Sequence, residues 1–151
     1  MVTKYSEIFF SRLGGPIFAE RLVSGLSEPD RQRLGTIMLT RHYEKGQTIF
    51  ARDSIPAEIL FVKEGSAELK CGDPPGRTRL VTVGEIIGLT ETLAEAKHCD
   101  TLTAKTDCEM SVISRDDLIW YLRHTPEACY RSLEIVAENL HMARELAIGD
   151  Y

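Results

Sequence analysis

The residues of this chain whose types and spacing could do chemistry fall in two short stretches. Val83-Gly84-Glu85-Ile86-Ile87-Gly88-Leu89 sets two glycines four apart around an apolar pair, and further on Lys97-His98-Cys99 brings a cation, an imidazole and a thiol into succession. A Gly-x-x-x-Gly loop lets the backbone approach a ligand closely and take positive φ, which suits it to cradle a phosphate or another small group. His98 and Cys99 are of the types that ligate haem iron or another metal. Without a second convergent ligand the pair reads equally as an ordinary loop. His42, His124 and His141 are scattered and read as surface residues. The four cysteines, Cys71, Cys99, Cys108 and Cys129, are widely spaced with no C-x-x-C, so neither a zinc knuckle nor a disulfide framework is suggested. Cys108 falls among inward positions of a β-prone run and is expected to be buried. There is no His-x-His and no defensible Ser-His-Asp or Cys-His constellation. The chain therefore reads as non-enzymatic, with a metal enzyme built on a cupin-like barrel as the competing class.

The elements that must position these residues change character along the chain. With 151 residues, 43% hydrophobic and 27% charged, one globular domain with a real core is expected. A formal net charge of −5 opposes unaided binding to DNA or to an anionic membrane, both of which take up excess Lys and Arg. No apolar run is long enough to span a bilayer, and the N-terminus lacks the basic-then-apolar order of a signal peptide, so a cytoplasmic protein is expected.

Helical spacing over Ser6 to Leu13 and Pro16 to Leu22 predicts two short helices broken at Gly14-Gly15. Ser27, with Pro29 and Asp30 behind it, caps a further helix that should end near Gly35. From Thr36 the pattern becomes short β-prone runs: Ile37 to Tyr43, Thr48 to Phe50, Ile59 to Lys63, Ala67 to Cys71, Arg77 to Val83, Thr101 to Ala104 and Cys108 to Ser114. Many short strands at regular spacing imply a sandwich or jelly roll. Ser114 then caps a helix, and Thr125-Pro126-Glu127 starts a longer one with proline in its first turn. Along it, Cys129, Leu133, Val136, Leu140, Ala143 and Ala147 recur as a heptad stripe, with Ile135, Met142 and Leu146 as a second apolar edge. Two edges suit a helix that docks on its own domain and on a partner; a stripe of this length also suits a helix covering a single core.

Taken together and in order, the blocks Gly46 to Phe50, Ile59 to Val62, Gly65, Val83 to Leu89 and Ala104 to Ile113 resemble the cyclic-nucleotide-binding domain, in the version found as the sensor half of Crp/Fnr-type bacterial transcription regulators. The resemblance covers roughly Leu26 to Leu146. It implies a mainly β fold, a double-stranded β-helix or jelly roll, with N-terminal helices (5–35), a β-roll (36–114) and C-terminal helices (115–148) ending in a long dimerisation helix. The chain stops soon after that helix, so the resemblance implies a stand-alone effector domain with no helix-turn-helix half and no DNA binding of its own.

In that family a glutamate directly after the second glycine of the loop takes the ribose hydroxyl, and an Arg-Ser or Arg-Thr pair holds the cyclic phosphate. Here Leu89 follows Gly88, and counting back from Ala104-Lys105-Thr106 places His98 and Cys99 where the Arg-Ser pair belongs. All three principal contacts are missing, with Lys97 as the one substitute cation and Glu85 left in a structural role. Leucine accepts no hydrogen bond, and a buried phosphate deprived of its cation loses on the order of 3–5 kcal/mol, at least two decades in affinity. The expected function is a sensor or regulatory module that is not a tight cyclic AMP or cyclic GMP binder. Its effector is an unknown small molecule, for which the family offers haem, oxo acids and chlorinated aromatics as precedents. The alternatives are a ligand-free dimerising adaptor that pairs with a full-length regulator, and a nucleotide binder using non-standard contacts. The expected partner is a second copy through the C-terminal helix.

Overall fold

The computed structural model describes residues 22–23, 25–71 and 76–149. Helix α1 (Glu28–Ile37) is followed by strands β1 (Leu39–Tyr43), β2 (Thr48–Phe50), β3 (Glu58–Glu64), β4 (Ala67–Cys71), β5 (Thr78–Val81) and β6 (Ile86–Ile87). A short helix α2 (Leu89–Ala94), strands β7 (Asp100–Ala104) and β8 (Cys108–Ser114), and helices α3 (Arg115–His124) and α4 (Pro126–Gly149) complete the order. The strands form two four-stranded sheets, β1-β8-β3-β6 and β2-β7-β4-β5, and every recorded pairing is antiparallel. This is the expected jelly roll with flanking helices.

The period-two alternation of β3 and β8 explains the layering. Leu60 and Val62 on β3, with Met110 and Val112 on β8, turn inward and meet Val81, Leu102 and Ala104 of the second sheet. The intervening Ile59, Phe61 and Ile113 turn outward and meet Leu34, Leu118, Tyr121 and Ile135 of the helices. The central strands β3 and β8 of the first sheet are thus apolar on both faces. Ile86 and Ile87 repeat the division in two residues, Ile86 joining the outer core and Ile87 the inner. Sequence reasoning treated this pair as part of a loop; pairing of Leu60 with Ile87 and Phe61 with Ile86 makes it an edge strand.

The helix starts lie where capping residues mark them. Ser27 Oγ accepts from the Asp30 amide at 3.3 Å, and Ser114 Oγ from the Asp117 amide at 3.2 Å. Helix α1 runs past Gly35 to Ile37, because nothing crowds Gly35 and its neighbours keep helical hydrogen bonding. On α4 the inward face is Ala128, Ser132 and Ile135, with Thr125 buried just before it. Cys129, Leu133 and Leu140 of the expected stripe are exposed instead, and Val136 is half-buried. Ala143 and Ala147 have side chains outside the described residues, as do the expected helices over Ser6 to Leu13 and most of Pro16 to Leu22.

Two turns with left-handed glycines fix the roll, for different reasons. Gly46 (φ +88°) has open space where a Cβ would be, so only its dihedral resists substitution. Gly65 (φ +84°) lies against the β7–β8 turn: a Cβ there would overlap the Asp107 carbonyl oxygen and come 3.1 Å from Cys108 Cα. Cys108 itself is buried, its thiol donating to the Ser66 and Thr106 carbonyls, and burial pushes that thiol up from its ordinary pKa. Gly46→Ala should cost about the 1–3 kcal/mol of backbone strain. Gly65→Ala should cost distinctly more, read as a larger drop in chemical-denaturation midpoint; equal losses would mean that the turn at Gly65 relaxes freely.

Candidate functional site

The loop from Gly84 to Leu89 and the segment from Glu91 to Asp100 meet beside the ends of β3 and β6. Gly84 (φ +93°) turns the chain, its amide donating to the Val62 carbonyl at 2.9 Å while the Val62 amide donates to the Glu85 carbonyl at 3.1 Å. This holds Glu85 in the interior, where its carboxylate is fully used. Oε1 meets Arg79 Nη1 at 2.5 Å and Oε2 accepts from the Thr82 amide, with both side chains largely buried. A buried carboxylate with a guanidinium and a backbone donor is a satisfied structural group. The Arg79 guanidinium beside the loop is thereby engaged.

Gly88 (φ +86°) sits at the start of α2, close to the carbonyl of Glu58. Leu89, the next residue, is buried in the outer core among Ile59, Leu118 and Ile135. Its side chain therefore packs between sheet and helices and does not line the interior of the roll. Thr92, fully buried, donates its amide to the Gly88 carbonyl at 2.9 Å. The far end of α2 is closed by Arg115, which donates Nε to the Thr92 carbonyl at 3.2 Å and pairs with Glu95 at 2.5 Å. A cation at a helix C-terminus is electrostatically favoured.

Lys97, His98 and Cys99 separate in the structure. Lys97 and Cys99 are exposed, Cys99 with a free thiol. His98 is buried, 5% exposed, with its ring stacked on Phe50 at 3.8 Å between centroids. Its backbone ties the β2–β3 loop: the His98 amide donates to the Ser54 carbonyl at 3.0 Å, and the Asp53 amide to the His98 carbonyl at 2.8 Å. Nδ1 lies 3.8 Å from Glu91 Oε2, beyond hydrogen-bond reach. Burial lowers the imidazole from its ordinary value, only partly opposed by the Asp100 charge. It is thus neutral at physiological pH. Burial, and secondarily the Asp100 charge, raises Glu91 above the ordinary carboxylate range.

Sequence reasoning missed five residues that matter here: Phe50, Arg79, Glu91, Asp100 and Arg115. Arg79 carried a readable signal, a charge in the middle of a β-prone run six residues before Glu85. Phe50 and Asp100 carried none, since only the fold brings β2 and β7 alongside His98. His42, His124 and His141 are exposed as expected. Among the described residues no group of three or more His, Cys, Asp or Glu side chains could hold a metal ion. Nor is any described helix long and apolar enough to cross a membrane.

The two-sheet roll, with two glycines flanking β6, a short helix between β6 and β7 and a helical layer on one face, is the architecture of a β-roll binding domain. The profile of the cyclic nucleotide-binding domain matches residues 40–125, more than half of the chain, which therefore belongs to the cyclic nucleotide-binding domain family. Among solved structures, the catabolite activator protein of Thermus thermophilus aligns with a TM-score of 0.76 at 23% identity, covering 86% of this chain and 63% of that one. The N-terminal domain of a transcriptional regulator from Streptomyces coelicolor aligns at 0.69 and 24% identity, covering 83% and 91%. The sensor domain of the regulator DNR from Pseudomonas aeruginosa aligns at 0.69 and 12% identity, covering 83% and 93%. At these identities the likeness is one of fold. The chain spans under two thirds of the Thermus protein's length. Curated protein sequences contain no match.

The two shifted groups act on stability in opposite directions. His98, lowered in the fold, favours the native state while neutral, and that contribution is lost as pH falls below its unfolded value of about 6.5. Glu91, raised in the fold, penalises the native state while ionised, and the penalty lifts on acidification. Glu91→Gln should therefore stabilise the protein near neutral pH, with the advantage shrinking as pH falls. Thermal melts of wild type and variant across that range check this; a gain that persists unchanged in acid would show that Glu91 is not under electrostatic penalty.

Proposed function

We propose that this chain is a regulatory sensor module of the Crp/Fnr type whose loop no longer carries the nucleotide contacts, so that it does not bind cyclic AMP or cyclic GMP tightly. The observation that carries the reading is His98. In register with the family's phosphate-binding arginine stands a buried, neutral imidazole facing a carboxylate, and anions are repelled by such a pair. Leu89 supports it from the other side, because a glutamate in its place would be drawn into an apolar core. The module acts through association, as a homodimer or by pairing with a full-length regulator, and not as an enzyme.

The exposed edge of α4 supports that mode of action. Leu133 is 64% and Leu140 62% exposed, one heptad apart, with Cys129 also exposed on the same stripe. Apolar side chains at this spacing are covered when a second helix packs on them. Sedimentation equilibrium should show a dimer that Leu133→Asp converts to monomer, while calorimetric titration with cyclic AMP gives no saturation at micromolar concentration. A monomeric wild type would transfer the stripe to a different protein partner, and micromolar nucleotide binding would overturn the degenerate-site reading.

A further inference from the structure

Helix α3 has an outward face that its own domain leaves uncovered. Leu118 and Tyr121 turn into the outer core, while Asp116, Asp117, Trp120, Arg123 and His124 are exposed. Trp120, the only tryptophan of the chain, is 49% exposed. Its indole is nonetheless fixed. It stacks on the His124 ring at 4.6 Å between centroids, and His124 Nδ1 donates to the Trp120 carbonyl at 2.7 Å. A large aromatic held in one orientation before contact is an anchor of the kind on which interfaces concentrate their affinity, because little side-chain freedom is then lost on binding.

The charges around Trp120 have a two-fold pattern. At about 100° of rotation per residue, Asp116 and Arg123 fall on one side of Trp120, and Asp117 and His124 on the other. Each side therefore carries an acid toward the start of the helix and a base toward its end. The members of each set are roughly 10 Å apart along the axis, too far to pair within one helix. Asp116, Asp117 and Arg123 form no ion pair among the described residues. Laying a second α3 on this face in the opposite direction keeps side against side. Asp116 then meets the partner's Arg123, Asp117 meets the partner's His124, and Trp120 meets the partner's Trp120. In parallel order acids would stand level with acids and bases with bases, which repulsion opposes.

We propose that the outer face of α3 is a self-complementary docking surface, on which a second copy of this chain packs with its own α3 antiparallel about a two-fold axis beside Trp120. The two indoles meet offset at the centre, and the charged pairs close around them. A ten-residue helix offers a small contact, so the association is weak and depends on concentration. The formal net charge of −5 makes two copies repel at a distance; the attraction is local and salt weakens it. This surface lies on a different helix from the exposed stripe of α4. A chain with two isologous surfaces assembles beyond the pair, so the α3 contact joins dimers to one another. The inference goes beyond the sensor reading and does not rest on it.

The test uses the whole chain carrying Leu133→Asp, so that the α4 stripe is silent, and follows sedimentation velocity and the emission of Trp120 over a concentration series at low salt. The expected result is reversible dimer formation with a blue shift of the single tryptophan, both reduced by added salt. Asp116→Arg and Arg123→Asp, each made separately, should weaken association about tenfold by setting like charges against each other. An equimolar mixture of these two variants should recover it, since each then offers the charge that the other lacks. Circular dichroism of each variant alone establishes that it is folded, and Trp120→Ala, read by sedimentation, keeps the test open if either charge variant is not. A chain that stays monomeric with constant emission at every concentration overturns the proposal. So does a mixture that associates no better than its components, which would assign the acids and bases of α3 to the dipole of their own helix. Either failure leaves the α4 stripe and the regulatory module reading as they stand.

Discussion

The structure depends on two paired strands, β3 and β8, that are apolar on both faces. Strand β8 lies between β1 and β3, with Leu60 opposite Val112 and Ile59 opposite Ile113. One member of each alternating pair fills the roll and the other supports the helices. Slipping this register by one residue would send every inward side chain to the helical side. The second sheet carries no such double duty: Leu80 on β5 is 49% exposed. Burial on both faces is what allows a helical layer to be held on a small β-roll, since each buried side chain of this kind contributes roughly 1.5–3 kcal/mol.

The candidate site inherits its character from this arrangement. Strand β6 is only two residues long, and its end delivers Gly88 and Leu89 onto the helical side of the sheet. Leu89 is then committed to packing, while Glu91 and His98 face each other across 3.8 Å beside it. The electrostatics follow from which charges are already neutralised. Arg79 and Glu85 are buried together and cancel. Glu91 and Asp100 form no ion pair with a lysine or arginine among the described residues. A charge count along the sequence hides this, because it does not record which pairs close.

The strands and helix starts were legible because local chemistry specifies them. Ser27 and Ser114 accept the hydrogen bonds that their positions imply, and the runs at Thr48 to Phe50 and Ala67 to Cys71 became strands with the same limits. Strand β6 was not legible, since two isoleucines between glycines carry no period. The site was legible in part. Family register drew attention to His98 and Leu89, but burial decided what they do, and burial comes from contacts with Phe50 on β2 and with α3 and α4 that are distant in sequence. Lys97 and Cys99 were named as candidates beside His98, yet a change in exposure between adjacent residues of a loop has no signature in composition. The stripe on α4 left two directions open, toward a partner or toward the core. The small residues settle the direction: Ala128 and Ser132 approach the core closely, which leaves Leu133 and Leu140 outside.

A route from the loop to α4 exists in contacts already present, and it runs through Arg115. This residue begins α3, takes the Thr92 carbonyl and Glu95 of α2 on its side chain, and donates its own amide to the Ala57 carbonyl at 2.9 Å. Leu89 on α2, Leu118 and Tyr121 on α3, and Ile135 on α4 share one core. Close-packed interiors transmit displacement, because voids that would absorb it are absent. Contiguity alone does not establish coupling, which requires an element with two arrangements. Helix α2, six residues long with left-handed residues at both ends in Gly88 and Glu95 and with Leu89 in the shared core, is the element through which the loop touches that core.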